Sequence, residues 1–400
     1  MSTTQHTPRL GIQDMAFATG HYGFDLADLA ERQGIDVGKY YVGIGQEVMS
    51  VPAEDEDIVT IGATAAAKIL ERHGTQGIRT VLFATESGID QSKAAGVYVQ
   101  RLLDLPAQAR VIELKQACYA GAGALQMALG IIARHPEEKV LVIAADVARY
   151  DLGSSGEPTQ GAAAVAFLVQ AEPGLLEIEP ASGVHTVDVQ DFWRPNHRST
   201  ALVDGKFSVT AYTDSLAGAW EDYRAHGGVE IGQIDWFCYH QPFTKMAIKA
   251  HMSLLKLAGE EFSREIAAQA LEPTFGYNKQ VGNSYTASIF LGLLALLDSD
   301  RDLTGQRVGF FSYGSGAVSE FFAGTVAPGY QEHLRREEHQ EALSSREMID
   351  WERYRELHPG TEVRGEGDYE TESSRTGADH GDDARRFRFL GVKDGSRLYA

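Results

Sequence analysis

The chain has 400 residues and a formal net charge of -20, with 43% hydrophobic and 23% charged residues. It can bury a large core like an ordinary globular protein, while its negative charge argues against a nucleic-acid partner or an anionic membrane. No apolar run reaches the roughly 18 residues of a membrane span, and residues 1–6 lack the basic and apolar regions of a secretory signal. Since two cysteines are too few for a disulfide framework, we expect a cytoplasmic protein without a membrane partner.

The first half of the chain alternates helices with short apolar runs. Runs rich in branched residues predict strands buried on both faces, over residues 81–85, 111–114, 140–145 and 162–169. Helical patterns occupy residues 58–72, 91–103 and 122–133. This alternation predicts crossover connections and a largely parallel sheet.

The second half repeats the order of elements. It shows a helix at residues 211–225, a strand at 234–239 and a helix at 244–257. A further helix opens at the turn 282–284, and two strands follow at 308–312 and 318–325. We therefore expect an α/β protein of two duplicated lobes, residues 1–170 and 171–335, with a site between them where strand ends converge. Residues 336–400 form a C-terminal extension.

Two segments depart from this pattern. Residues 185–204 are rich in aromatic, proline and polar residues and are interpreted as an inserted loop or cap. Residues 361–386 are strongly charged with little apolar content, which predicts a mobile, solvated segment. Apolar character returns over residues 387–399, so this end is expected to dock onto the body of the protein.

Cys118 lies at a junction between a predicted strand and a predicted helix. The free N–H groups and dipole of a helix N-terminus stabilise negative charge. A thiol at such a place loses its proton more easily and becomes a nucleophile. The alternative is a packed cysteine, since buried free cysteines are common.

Glu86 and His240 each follow a predicted strand, at corresponding positions of the two lobes. A semi-buried carboxylate at a strand end can serve as general acid or base. The alternative for Glu86 is a helix N-cap, a role that Ser87 and Asp90 already suit. Histidine is the side chain most readily poised near neutral pH, although a lone histidine is more often structural. Cys238 is interpreted as a packed core thiol.

Further candidates for ligand binding are cationic or lie in turns. Lys245 and Lys249 are four residues apart on one helix face, which would suit a phosphorylated ligand or a solvated surface equally well. Small-residue turns at 282–286 and 312–316 can present N–H groups and hydroxyls to oxyanions. No metal-ligand spacing and no nucleotide phosphate loop occur in the sequence, so we expect no metal.

Seven segments together resemble the 3-hydroxy-3-methylglutaryl-CoA synthases, members of the thiolase-like superfamily. They lie in order at residues 38–46, 85–93, 113–119, 156–161, 191–195, 240–246 and 282–286. The resemblance implies a five-layered αβαβα fold, a homodimer, and no cofactor besides the substrates. It implies condensation of acetyl-CoA with acetoacetyl-CoA and water, through an acetyl-cysteine, to give 3-hydroxy-3-methylglutaryl-CoA (HMG-CoA) and CoA in the mevalonate route to isoprenoids.

The same resemblance assigns roles to individual residues. Cys118 would be the acylated nucleophile, Glu86 the acid/base and His240 the residue that orients the second substrate. Asp146 and Asp191 would support the site, and Lys245 and Lys249 would meet the CoA phosphates. The pantetheine and acyl chain would be lined by Asp36, Val37, Tyr150, Ser155, Thr159, Ser208, Asn283 and Ser315.

Two alternatives stay open. Relatives in polyketide pathways take the acetyl group from an acyl carrier protein, and the two lysines favour free CoA over such a donor. A protein of another class, a non-catalytic thiolase-like binding subunit, is disfavoured because all three chemical residues are present.

Overall fold

The computed structural model describes residues 8–360, 367–374 and 387–400. Within these ranges the strands are β1 (Leu10–Thr19), β2 (Tyr22–Asp25), β3 (Val48–Val51), β4 (Ile78–Ala84), β5 (Arg110–Leu114), β6 (Lys139–Ala148), β7 (Gly161–Ala171), β8 (Leu176–Thr186), β9 (Phe192–Trp193), β10 (Leu202–Val203), β11 (Trp236–Tyr239), β12 (Arg307–Gly314), β13 (Val318–Val326), β14 (Glu347–Met348), β15 (Tyr369–Glu370), β16 (Phe389–Lys393) and β17 (Ser396–Tyr399). The α-helices are α1 (Leu26–Gln33), α2 (Ile58–His73), α3 (Ala95–Leu102), α4 (Ala120–Arg134), α5 (Gly205–Ala225), α6 (Thr244–Ala258), α7 (Arg264–Leu271), α8 (Gly276–Val281), α9 (Ser288–Leu297), α10 (Arg336–Ser344) and α11 (Trp351–Leu357). None of these helices is long and apolar enough to cross a bilayer.

The main sheet is built from two half-sheets, in the order β11-β12-β13-β8 and β1-β7-β6-β4-β5. They are joined by a short pairing of β1 with β8 at Gly11–Glu177 and Ile12–Leu176. β4 runs parallel to β5 and β6, and β11 runs parallel to β12, but the other neighbours are antiparallel. The prediction of a largely parallel sheet is therefore wrong. Connections without an α-helix join β6 to β7 and β12 to β13, so these neighbours pair antiparallel.

Five layers result from the way the helices cover the two half-sheets. α4 and α9 share the central core with apolar residues of both half-sheets. α2 and α3 cover the outer face of the first half-sheet, and α5, α6 and α7 cover the outer face of the second. Nine of the ten residues of α9 are buried, as expected for a helix that is apolar on every side. The αβαβα expectation is confirmed.

The predicted strands and helices of both lobes largely coincide with observed elements, but β1 and β8 were not predicted. The charged residue Asp14 breaks the apolar pattern of β1 next to a β-bulge between Ile12 and Asp14, and its carboxylate is fully buried against Arg335, 2.7 Å away. β8 contains Pro180 and Gly183, which obscure a strand pattern. The predicted lobe boundary falls at the end of β7 and stays a prediction.

The end of the chain packs back onto the first half. Phe389 and Tyr399 are buried together with residues of α2 and α3. The Tyr399 hydroxyl and the Arg397 guanidinium each lie 2.7 Å from the carboxylate of Asp57, the N-cap of α2. The expected docking of residues 387–399 is thus observed. The predicted mobile segment 361–386 lies outside the described residues except for residues 367–374.

Candidate active site

Cys118 lies in the turn between β5 and α4 and is 7% exposed. The residue before it, Ala117, has a left-handed backbone with φ of 45°, which costs an L-residue about 1 kcal/mol. Gly314, at the end of β12, packs directly against this turn. A Cβ there would lie 2.3 Å from the Gln116 carbonyl oxygen and 2.7 Å from the Tyr119 nitrogen. Only glycine lets the second half-sheet approach Cys118 so closely.

Glu86 follows β4, and its loop is held by the buried carboxylate of Asp146 on β6. The Thr85 hydroxyl, the Glu86 and Ser87 N–H groups and the Ser87 hydroxyl donate to one oxygen of Asp146 at 2.8–2.9 Å. The other oxygen accepts from the N–H and the hydroxyl of Thr286 at 3.0 and 2.5 Å. Because Thr286 precedes α9, Asp146 connects the Glu86 loop to the second half of the chain.

The thiol of Cys118 and the carboxylate of Glu86 face each other, with 3.5 Å between Sγ and Oε2. Burial raises the pKa of Glu86 to about 8, and Asp146 contributes in the same direction, while Arg194 and the thiol hydrogen bond oppose the rise. Burial, with Glu86 and Asp146, raises the pKa of the Cys118 thiol well above its usual value. The expectation of an acidified thiol is therefore wrong. Burial, together with Glu86 and Asp146, outweighs the favourable field of the helix.

His240 lies directly after β11 and is 2% exposed. Its backbone N–H donates to the Phe311 carbonyl at 2.9 Å, and its backbone carbonyl accepts from the Tyr212 hydroxyl at 2.8 Å. Burial lowers the pKa of His240 to about 3, so the imidazole is neutral. Nδ1 has no hydrogen-bond partner among the described residues. A neutral imidazole in this position can donate a single hydrogen bond to a ligand.

One cavity brings together eight of the residues singled out from the sequence. They are Cys118, Tyr150, Ser155, Thr159, Ser208, His240, Asn283 and Ser315. Glu86 lines an adjoining, larger groove, and Phe192 and Ser315 line both spaces. Cys118 and Glu86 therefore meet where the cavity and the groove adjoin.

Asp191 anchors the wall of this cavity. Its buried carboxylate accepts from the hydroxyls of Ser208, Tyr313 and Ser315 at 3.1, 2.8 and 2.9 Å. It also accepts from the Gly316 N–H at 3.1 Å. Through these four hydrogen bonds Asp191 joins the cap to α5 and to the β12–β13 turn, in keeping with the supporting role that the resemblance implies.

Asp36, Val37, Lys245 and Lys249 lie outside the cavity lining. Asp36 is exposed and accepts from the Gly38 N–H at 2.6 Å. The short helical turn at 39–44 packs against α6, which carries both lysines, and Lys249 is exposed. Because Met246 of α6 lines the cavity, α6 and the 39–44 turn packed on it form a rim beside the cavity.

The structure places two further cations, Arg264 and Lys279, within electrostatic range of Lys245 on this rim. Burial lowers the pKa of Lys245, and the positive charges of Arg264 and Lys279 lower it further. Lys279 also lies 3.9 Å from Glu47. Arg264 and Lys279 carry no recognisable spacing relative to Lys245, so only the fold reveals their proximity.

Tyr285, Phe192 and Arg194 also lie at the site, but the sequence analysis assigned them no role. Tyr285 has a left-handed backbone with φ of 45° and is buried in one cluster with Cys118 and Ala148, against which Phe192 packs. Arg194 donates to the Glu86 carbonyl oxygen at 2.6 Å. All three lie in segments that carried the family resemblance, which was the available signal.

Comparison with known proteins agrees with this geometry over nearly the whole chain. The family model described as hydroxymethylglutaryl-coenzyme A synthase N terminal matches residues 8–173, and its C-terminal counterpart matches residues 177–258 and 255–374. The hydroxymethylglutaryl-CoA synthase of Enterococcus faecalis is 41% identical over 353 residues, covering 88% of this chain and 92% of that protein.

Solved structures give the same result. MvaS in complex with 3-hydroxy-3-methylglutaryl coenzyme A has a TM-score of 0.88 at 35% identity, covering 99% of both chains. The HMG synthase of the curacin biosynthetic pathway, in complex with acetyl donor-ACP, has a TM-score of 0.91 at 30% identity, covering 98% of this chain and 99% of that chain. With the matched family models spanning both halves, this chain belongs to the hydroxymethylglutaryl-CoA synthase family of acyl-transferring, condensing enzymes.

Proposed function

We propose that this protein condenses acetyl-CoA with acetoacetyl-CoA and water to give HMG-CoA, CoA and a proton, the synthase step of the mevalonate route. The observation that carries the proposal is the contact of Cys118 with Glu86 beside a cavity that also contains His240. A nucleophile, a base with a raised pKa and a neutral hydrogen-bond donor are the three groups that this chemistry requires.

In the first step Cys118 attacks the thioester carbonyl of acetyl-CoA. The bond from sulfur to the acetyl carbon forms, the bond to the CoA sulfur breaks, and the thiol proton ends on the released CoA. Backbone N–H groups of Cys118 and Ser315 stabilise the oxyanion of the thioester.

In the second step Glu86 removes a proton from the acetyl methyl group. The resulting enolate carbon adds to the ketone carbon of acetoacetyl-CoA, and the new alkoxide takes up a proton to become the tertiary hydroxyl. His240 donates a hydrogen bond to that oxygen. Water then cleaves the Cys118 thioester, which releases HMG-CoA as a carboxylate with one proton and restores the thiol.

The acyl donor is CoA rather than a carrier protein in this proposal. Lys245 of the rim lies within electrostatic range of the positive charges of Arg264 and Lys279, and such a group of cations suits the phosphates of CoA. In the structural comparison MvaS in complex with 3-hydroxy-3-methylglutaryl coenzyme A is 35% identical to this chain, and the curacin HMG synthase in complex with acetyl donor-ACP is 30% identical. A donor on a carrier protein is the second candidate because that structure matches at a TM-score of 0.91.

A cytoplasmic homodimer is part of the same proposal. β5 is the last strand of the main sheet, and an unpaired edge strand is a template for pairing with a second chain. Ile112 on β5 is 42% exposed, and Val97 on the neighbouring α3 is 40% exposed. Both cysteines are free thiols, as a reducing compartment requires. Light scattering on the purified protein tests the dimer.

The reaction is tested by mixing the purified protein with acetoacetyl-CoA and either acetyl-CoA or acetyl carrier protein, and quantifying HMG-CoA by mass spectrometry. Product from acetyl-CoA supports the proposal. Product only from the carrier-linked donor would favour the polyketide alternative, and a protein inactive with both donors would contradict both.

A further inference from the structure

Arg194 contacts the catalytic loop from the cap segment. It follows β9, and its Nη2 donates a 2.6 Å hydrogen bond to the carbonyl oxygen of Glu86. Both residues line the groove that adjoins the cavity. A cation that is bonded to the backbone of a carboxylate residue constrains the position of that residue and also acts on its charge.

The cap holds the site at two other points close to Arg194 in sequence. Asp191 accepts four hydrogen bonds from the cavity wall. Phe192 packs against Cys118 and Tyr285. One short segment therefore contacts three parts of the site. Phe192 contacts the nucleophile, Asp191 the cavity wall and Arg194 the base. The position of Arg194 is set by two anchored neighbours.

The groups around Glu86 make a cation important. Asp146 lies on β6. Two buried tyrosines are also close by: Tyr150 follows β6, and Tyr285 precedes α9. The Asp146 carboxylate opposes ionisation of Glu86, as burial does, whereas the Cys118 thiol favours ionisation by donating a hydrogen bond. Arg194 is the one positive charge that acts appreciably on Glu86 among the described residues.

We infer that Arg194 is a positioning residue that fixes the Glu86 loop and favours the ionised form of its carboxylate for removal of the acetyl methyl proton. This inference rests on the proposed condensation. No bond to Arg194 forms or breaks during the reaction. Its effect therefore belongs to the carbon–carbon bond-forming step, in which Glu86 must be a free base.

The test uses acetyl-enzyme that is formed and isolated before acetoacetyl-CoA is added, so that only condensation is timed. Arg194→Met removes the cation, and Arg194→Lys keeps it. The matched control is Arg198→Met, since Arg198 lies in the same cap and groove but pairs with Asp151 at 2.6 Å. The single-turnover rate is measured across the pH range, and thermal unfolding confirms that each variant is folded.

For Arg194→Met we expect the acid limb of the pH–rate profile to move up by about one unit, because a nearby opposite charge lowers a carboxyl pKa by about that much or more. The rate falls about tenfold at neutral pH and recovers at high pH, where Glu86 is ionised in either protein. Arg194→Lys retains most of the wild-type profile, and Arg198→Met leaves it unchanged.

Two results would overturn the inference while leaving the proposed function intact. One is an Arg194→Met profile identical to wild type, and the other is a loss of the same size at every pH, which would indicate a purely structural role. A wild-type protein that takes up no acetyl group would instead contradict the proposed function, and the inference would fall with it.

Discussion

The Cys118 thiol donates a hydrogen bond to the Glu86 carboxylate, with 3.5 Å between Sγ and Oε2. Each group shifts the pKa of the other. The carboxylate raises the pKa of the thiol, and the hydrogen bond from the thiol lowers the pKa of the carboxyl. Nucleophile and base are thus coupled before a substrate enters. Acetylation removes the thiol proton and breaks this coupling, which leaves Glu86 to act on the acetyl group.

Replacing Glu86 by glutamine separates these two effects. The negative charge that Glu86 carries above about pH 8, and that raises the pKa of Cys118, disappears, so we expect faster alkylation of Cys118 by iodoacetamide at about pH 9. Acetyl-enzyme still accumulates, but condensation falls by about 10²- to 10⁴-fold, the usual contribution of a general base. Peptide mapping after each reagent measures both results. An unmodified Cys118 in the acetyl-CoA sample would contradict this division of roles.

Condensation by acetyl-enzyme is expected to accelerate as the pH rises through about 8, the pKa to which burial raises Glu86. The sign follows from the role of the group, because a base acts only when it is deprotonated and deprotonation increases with pH. Single-turnover rates between about pH 6 and 10 measure this limb. A rate that fell steadily over the same range would exclude Glu86 as the base.

His240→Ala is expected to leave acetylation of Cys118 in place and to slow condensation about 100-fold, since one lost donor to a developing oxyanion costs about 3 kcal/mol. The acid limb of the rate profile should stay where it is, because the imidazole is already neutral. His251→Gln serves as the control for removal of a buried histidine, as His251 bonds to Tyr239 outside the cavity lining. Equal losses in the two variants would argue against a role at the substrate.

Glu320 provides a prediction about stability. It is 2% exposed and accepts from the Tyr119 hydroxyl at 2.8 Å, and burial raises its pKa from 4.5 to about 7. Between these values the folded protein binds more protons than the unfolded chain, so this carboxyl lowers stability as the pH rises from 4.5 to 7.

Glu320→Gln keeps the acceptor for Tyr119 and removes the charge. We expect a gain at pH 8 on the order of 3 kcal/mol, as 1.4 kcal/mol per pKa unit implies, and almost none at about pH 4. Urea unfolding at both pH values measures the free energy, with exposed Glu332→Gln as control. A gain that was the same at both pH values would contradict the account.

The family resemblance, rather than local patterns, predicted the five layers and named eight residues that line the cavity. Apolar runs mark buried strands such as β4 and β6, and Glu86, Cys118 and His240 each follow such a run. β1 escaped detection because Asp14 interrupts its pattern, and its ion pair with Arg335 depends on a residue more than 300 positions away.

The charge state of the nucleophile could not be obtained in the same way. The position of Cys118 before a helix indicates an acidic thiol, but Glu86 and Asp146 become its neighbours only through the fold. The contact of Arg194 with Glu86 spans 108 residues. Local patterns locate reactive groups, whereas the field that acts on them comes from distant parts of the chain.

The most direct test is intact-protein mass spectrometry of wild type and Cys118→Ser after acetyl-CoA treatment, with peptide mapping and an acetoacetyl-CoA chase. We predict one acetyl group on Cys118 of the wild type, discharged as HMG-CoA during the chase, and no thioester-linked acetyl group on the variant. A wild-type protein that stayed unmodified, or an acetyl group that the chase did not discharge, would contradict the role of Cys118 and the reaction built on it.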